Sequence, residues 1–112
     1  MATAYDEGLA ERVRMVIEAL PGVHERKMFG GLGWTIGGNM ACGIMGDDLV
    51  VRIDPEETET ACREAHVRAF GRAGKAPMRG FVLVEPPGLE GDAELARWVD
   101  VGVDRAASLA PK

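Results

Sequence analysis

A chain of 112 residues with 46% hydrophobic side chains has the size and composition of one domain with an ordinary core, so a single domain over residues 1–112 is expected. Acids outnumber bases, 18 to 13, giving a formal net charge of -5, which argues against a broad basic face; no direct nucleic-acid binding is expected. No stretch approaches the roughly 18 uninterrupted apolar residues of a membrane span, and the acid-bearing N-terminus lacks an apolar signal core, so the expectation is a soluble cytoplasmic protein with no membrane partner.

From Asp6 onward, Leu9, Val13, Val16, Ile17 and Leu20 recur at three- and four-residue intervals, the stripe of an amphipathic helix. Asp6, Glu7 and Glu11 suit its positive end, and Arg14 with Glu18 forms an i,i+4 pair. Pro21 and Gly22 stop it. Val23 to Phe29 reads as a polar strand suited to a sheet edge, and Gly30 with Gly31 breaks it. Leu32, Trp34 and Ile36 then alternate with Gly33 and Thr35, the mark of a half-buried strand with Trp34 as a core anchor.

Gly37, Gly38 and Asn39 suit a tight turn, after which Met40, Cys42 and Ile44 fall on one strand face and Ala41, Gly43 and Met45 on the other. Gly46, Asp47 and Asp48 turn the chain again into Leu49, Val51 and Ile53. Strands joined by such short turns are antiparallel, because parallel neighbours need a long crossover. Asp54 before Pro55 opens a short polar helix. The segment from His66 to Pro77 reads as irregular, with Val67 and Phe70 packing inward. Met78 to Glu85 is apolar on both faces and reads as an internal strand. Asp92 is expected to cap a last helix with Leu95, Trp98, Val99, Ala106 and Leu109 inward; Gly102, costly at mid-helix, points to a close contact with the sheet. The fold class is therefore α+β: an antiparallel sheet of about four to five strands, an N-terminal and a C-terminal helix packed on it, and a short helix in the middle.

Chemistry-bearing patterns are few. The glycine-rich FGGLGW leads into a strand instead of a helix N-terminus, so it reads as a strand break and not as a phosphate cradle; no cofactor is expected. His24 and His66 lie in no ligand spacing, and no metal site is expected. Cys42 and Cys62 are twenty positions apart with no Cys-x-x-Cys, the pattern of free thiols. Ser108 is the only serine and has no base nearby in the pattern, so no catalytic residue stands out. Among the basic residues Arg26, Lys27, Arg52, Lys75 and Arg79, Arg26, Arg52 and Arg79 come from three different expected strands that could converge on one face, and with Lys27 they form a candidate anion-binding set.

The motif Met28-Phe29-Gly30-Gly31 after Arg26 and Lys27, the hairpin carrying Asn39, Met40 and Ala41, the Leu-Val-Val-Arg strand and the Met-x-x-Phe run at Met78 to Phe81 together resemble the TfoX N-terminal domain family. The resemblance covers nearly the whole chain. It implies an α+β fold similar to secretion-chaperone-like domains and a stand-alone relative of competence regulators, which join this domain to a C-terminal helical one. Two functions follow as expectations. The first is a small non-enzymatic interaction or regulatory module that binds a protein partner or a second copy of itself; the second is a small-ligand or anion-binding protein, or an enzyme, using Arg26, Arg52 and Arg79.

Overall fold

Asp6 caps the first helix, α1 (Glu7–Ile17), accepting a hydrogen bond from the Leu9 N–H at 3.1 Å in the computed structural model, which describes residues 5–28, 30–71 and 79–112. Leu9, Ala10, Val13 and Ile17 are buried along the expected stripe. Each such aliphatic side chain contributes roughly 1.5–3 kcal/mol by burial, so packing and not helix propensity holds α1 in place.

Four strands follow in a meander: β1 (Val23–Met28), β2 (Gly31–Ile36), β3 (Asn39–Met45) and β4 (Asp48–Arg52), each antiparallel to the one before. The helical segment opened by Asp54 is shorter than its sequence suggested, a single 3-10 turn at Pro55–Glu57 and then α2 (Thr58–Ala61). The stretch expected to be irregular contains a short strand, β5 (Val67–Ala69), which pairs with β6 (Phe81–Val84). The sheet thus has six strands, in the order β1-β2-β3-β4-β6-β5, with β6 internal between β4 and β5 as its two apolar faces require. Lys75, Pro77 and Met78 lie outside the described residues.

A last helix, α3 (Asp92–Ser108), lies across β3 and β4 and touches α1. Its N-cap is Gly91, not Asp92, whose carboxylate instead receives Arg12 Nη2 at 3.2 Å. Leu95, Trp98, Val99 and Ala106 join α1 and the near face of the sheet in one core, with Leu32, Trp34, Cys42, Ile44, Val51 and Val84 opposite them. Cys42 and Cys62 are both free, and full burial pushes the Cys42 thiol up to about 12.

The alternation expected along β3 breaks at one place. Trp34 pairs with Cys42 but Thr35 pairs with Met40, so Ala41 is an extra residue, a bulge, and Met40 shares a face with Thr35 and not with Cys42. The bulge lies where α3 comes closest: a Cβ placed on Gly102 would collide with the Ala41 carbonyl oxygen.

Beside Trp34 the edge strand is tied to α1. Arg14 does not pair with Glu18; its Nε and Nη2 grip both oxygens of Glu25 at 2.7 and 2.9 Å, Nη1 reaches Glu11, and Trp34 Nε1 donates to Glu25 at 3.1 Å. The forked geometry explains the choice, since a guanidinium matches a carboxylate with two parallel hydrogen bonds. Hydrogen bonding from Arg14 is the main cause that lowers the Glu25 carboxyl below its ordinary value of 4.5, with burial opposing it.

Two predictions arise from this packing. Helix propensity alone favours Gly102→Ala by about 1 kcal/mol, yet the clash should make it destabilising by about 1–3 kcal/mol; a lowered urea midpoint is expected, and an unchanged or raised one would show that α3 does not sit this close to β3. For Glu25, whose folded pKa is depressed, the stabilisation is present above its ordinary value near 4.5 and disappears as the pH falls through the lower folded value. Glu25→Gln should therefore lower the urea midpoint at pH 7, with a loss of stability of no more than about 1 kcal/mol for so exposed a pair, and the difference from the parent should vanish in strong acid.

Candidate functional site

Several cations among the described residues are already engaged. Arg12, Arg14, Arg68 and Arg97 each face at least one carboxylate, at 3.2, 2.7, 3.0 and 2.8 Å in their main pairs. The space of about 350 Å³ beside Arg14, Glu25 and Trp34 is bordered by groups that satisfy one another. A different situation holds where β4, β6 and the end of α3 meet.

Arg52 ends β4, and its cross-strand partner is Phe81 at the start of β6. The pairing lays its guanidinium over the Phe81 ring, 4.9 Å from the centroid, and Phe81 is itself steadied by Phe70 at 6.0 Å. Arg79 lies in the turn into β6, and its Nη2 donates to the Pro55 carbonyl at 3.2 Å. The turn is fixed by the buried hydrogen bond of the Gly80 N–H to Thr58 Oγ1 at 3.0 Å. Arg105, in the last turn of α3 where the helix dipole favours a cation, reaches the same place from the other side. These three arginines, with Ile53, Pro55, Phe81 and Leu109, line a cavity of about 150 Å³.

Negative charge is scarce there. The nearest salt-bridge contact is from Arg105 Nη1 to Asp54 Oδ2 at 4.0 Å, the long limit of such a pair. Arg52 Nη1 is enclosed and has no hydrogen-bond acceptor among the described residues, although the side chain as a whole is only half-buried. An enclosed donor with no acceptor costs about 1–3 kcal/mol, and more when charged. Burial and then the Arg105 charge pull the Arg52 guanidinium below its ordinary value. Guanidinium remains charged at any pH the protein meets, so the result is a fixed excess of positive charge beside a small hydrocarbon-walled space. Guanidinium and hydrocarbon can hold and orient an anion; neither exchanges protons near neutral pH.

The structure brings Arg52 and Arg79 together and leaves Arg26 and Lys27 apart from them. Both of the latter are exposed on β1, and β2 and β3 lie between β1 and β4, a separation of about 14 Å at the usual strand spacing. Arg26 and Lys27 also point to opposite faces, paired with Gly33 and Leu32. Arg105 was missed because no strand register leads to it. A signal existed: Arg105 is three residues after Gly102, on the helix face that Gly102 turns to the sheet.

The motif at Met28, Gly30 and Gly31 is a backbone device. Gly30 has φ +76, a Cβ on Gly31 would strike the Ile44 carbonyl oxygen, and the Met28 side chain folds over Gly33. Phe29 lies outside the described residues. Among the described residues no group of His, Cys, Asp and Glu is clustered as metal ligands, and no helix is long and apolar enough to cross a membrane.

No curated protein matches the chain. The TfoX N-terminal domain matches residues 16–106, from the end of α1 to near the end of α3 and across the whole sheet, and the chain therefore belongs to the TfoX N-terminal domain family.

Proposed function

We propose that the chain is a small non-enzymatic interaction module that holds a protein partner through an anionic group seated between Arg52, Arg79 and Arg105. The observation that carries this reading is the convergence of Arg52, Arg79 and Arg105 on one small cavity, where the salt-bridge contact among the described residues is the long one from Arg105 to Asp54 at 4.0 Å. Unspent charge of this kind gains most from an anion, because a hydrogen bond to a charged group is worth about 1.5–3 kcal/mol. At about 150 Å³ the space is below the roughly 300–1,000 Å³ of cofactor and drug-sized sites. It takes one group of a larger partner, and the surrounding surface supplies the rest of the contact.

Titration with acetate and with inorganic phosphate at constant ionic strength, followed by amide and arginine side-chain NMR signals, tests the pocket. Saturable shifts at Gly80, Phe81 and the Arg52 and Arg105 Nε–H groups are expected with at least one of the two. Arg52→Gln should weaken that binding about tenfold or more, the equivalent of one charged hydrogen bond, and Arg26→Gln should leave it unchanged. Equal shifts in the Arg52→Gln protein would overturn the assignment.

Nucleic acid is not the anion proposed. The bases are divided between distant parts of the sheet and Arg12, Arg14, Arg68 and Arg97 face acids, so few phosphates can be neutralised at once. Fluorescence anisotropy with a duplex at physiological salt should give a dissociation constant weaker than about 10⁻⁴ M, outside the usual non-specific range; micromolar binding that falls steeply with salt would contradict it.

A further inference from the structure

We infer, resting on the anion-pocket reading, that the group held by Arg52, Arg79 and Arg105 is the free α-carboxylate of a peptide or protein C-terminus whose last side chain is apolar. A guanidinium fork donates to carboxylates and phosphates alike, so the arginines alone do not choose between them. The other walls do. Ile53, Pro55, Phe81 and Leu109 are hydrocarbon, and they border the same small cavity as the three charges.

A phosphoryl group presents three strong acceptor oxygens and needs donors around most of its circumference. Oxygens turned toward Ile53 or Leu109 would lose water without gaining a partner, a penalty of several kcal/mol on the usual scales. A carboxylate presents two oxygens on one side and leaves its other side free to be apolar. At a chain terminus the carboxylate and the last side chain branch from a single carbon, so charge and hydrocarbon enter one cavity together. The side-chain carboxylate of Asp or Glu brings only its own one or two methylenes and no second apolar branch.

Orientation supports the same choice. Arg52 sits over the Phe81 ring, 4.9 Å from its centroid, Arg79 is tied to the Pro55 carbonyl at 3.2 Å, and Asp54 draws Arg105 from 4.0 Å. Each guanidinium therefore reaches the cavity with its freedom already reduced, so less entropy is lost on binding. Asp54 also offsets part of the positive charge, which suits a group of single charge better than a dianion.

The test uses the full chain and short peptides: acetyl-Ala-Ala-Leu as the free acid, the same peptide as its C-terminal amide, acetyl-Ala-Asp-Ala amide, and inorganic phosphate. The free acid should bind saturably, with shifts at Gly80, Phe81 and the arginine Nε–H signals, and both amides should bind at least tenfold more weakly. Arg105→Gln and Arg52→Gln should each weaken the free acid about tenfold or more, with circular dichroism and thermal midpoint showing that the fold is retained; Leu109→Ala, which removes wall and not charge, should weaken acetyl-Ala-Ala-Leu more than acetate. Equal binding of acid and amide overturns the inference. If phosphate binds through Arg52 and the free acid does not, the anion pocket stands and the C-terminal ligand falls. If neither binds, both fall.

Discussion

The close approach of α3 to β3 is the constraint on which the rest of the structure depends. A helix lies this near a strand only where a side chain is missing and the strand backbone comes up to meet it. Gly102 supplies the first condition and the bulge at Ala41 the second. With α3 held at that distance, Trp98 and Val99 reach the sheet, and α1 is carried into the same core through its contact with α3. The same placement sets the end of α3 beside the end of β4, which is how Arg105 comes to face the cavity that Arg52 lines. A local packing device thus also builds the candidate site.

Charges of one kind have opposite fates in this fold, and their geometry decides which. Arg14 is surrounded by acceptors: Glu25 takes two of its donors and Glu11 a third, so the group fastens the edge strand to the first helix and has little left to offer. Arg52 is placed by its strand pairing over a ring, among hydrocarbon and other cations, where no acceptor of the described chain reaches Nη1. The first arrangement is a structural tie of modest worth, as expected for a partly exposed pair. The second is a poor way to stabilise a fold, because an enclosed charged donor without an acceptor costs free energy.

Much of this was legible in the chain. Periodicity located α1, the meander and α3 because each buries a regular stripe, and Trp34, Trp98 and Gly102 were readable as contact points for the same reason. What failed did so where no period exists. The strand Val67–Ala69 is three residues long, too short to alternate, and forms because β6 offers an edge. The bulge at Ala41 shifts Met40 by one position, which only a partner strand reveals. Gly91 and not Asp92 caps α3, since Arg12 draws the aspartate away. For the site, the sequence put Arg52 and Arg79 on two expected strands, whereas Arg79 lies in the turn before β6, and it did not show the strand order, which separates Arg26 and Lys27 from them.

The net charge of -5 bears on what such a pocket selects. On a protein of net negative charge an extended polyanion meets repulsion from acids beyond the arginines, and screening at physiological salt confines the attraction of a small cationic cluster to about 8 Å. A ligand with one negative group followed by apolar or neutral chain meets the arginines without facing the surrounding acids. A field of that sign disfavours extended anions, and a small group of arginines attracts only at short range. An isolated basic pocket on an acidic protein discriminates by how charge is distributed along the ligand, a selectivity that a broadly basic surface does not provide.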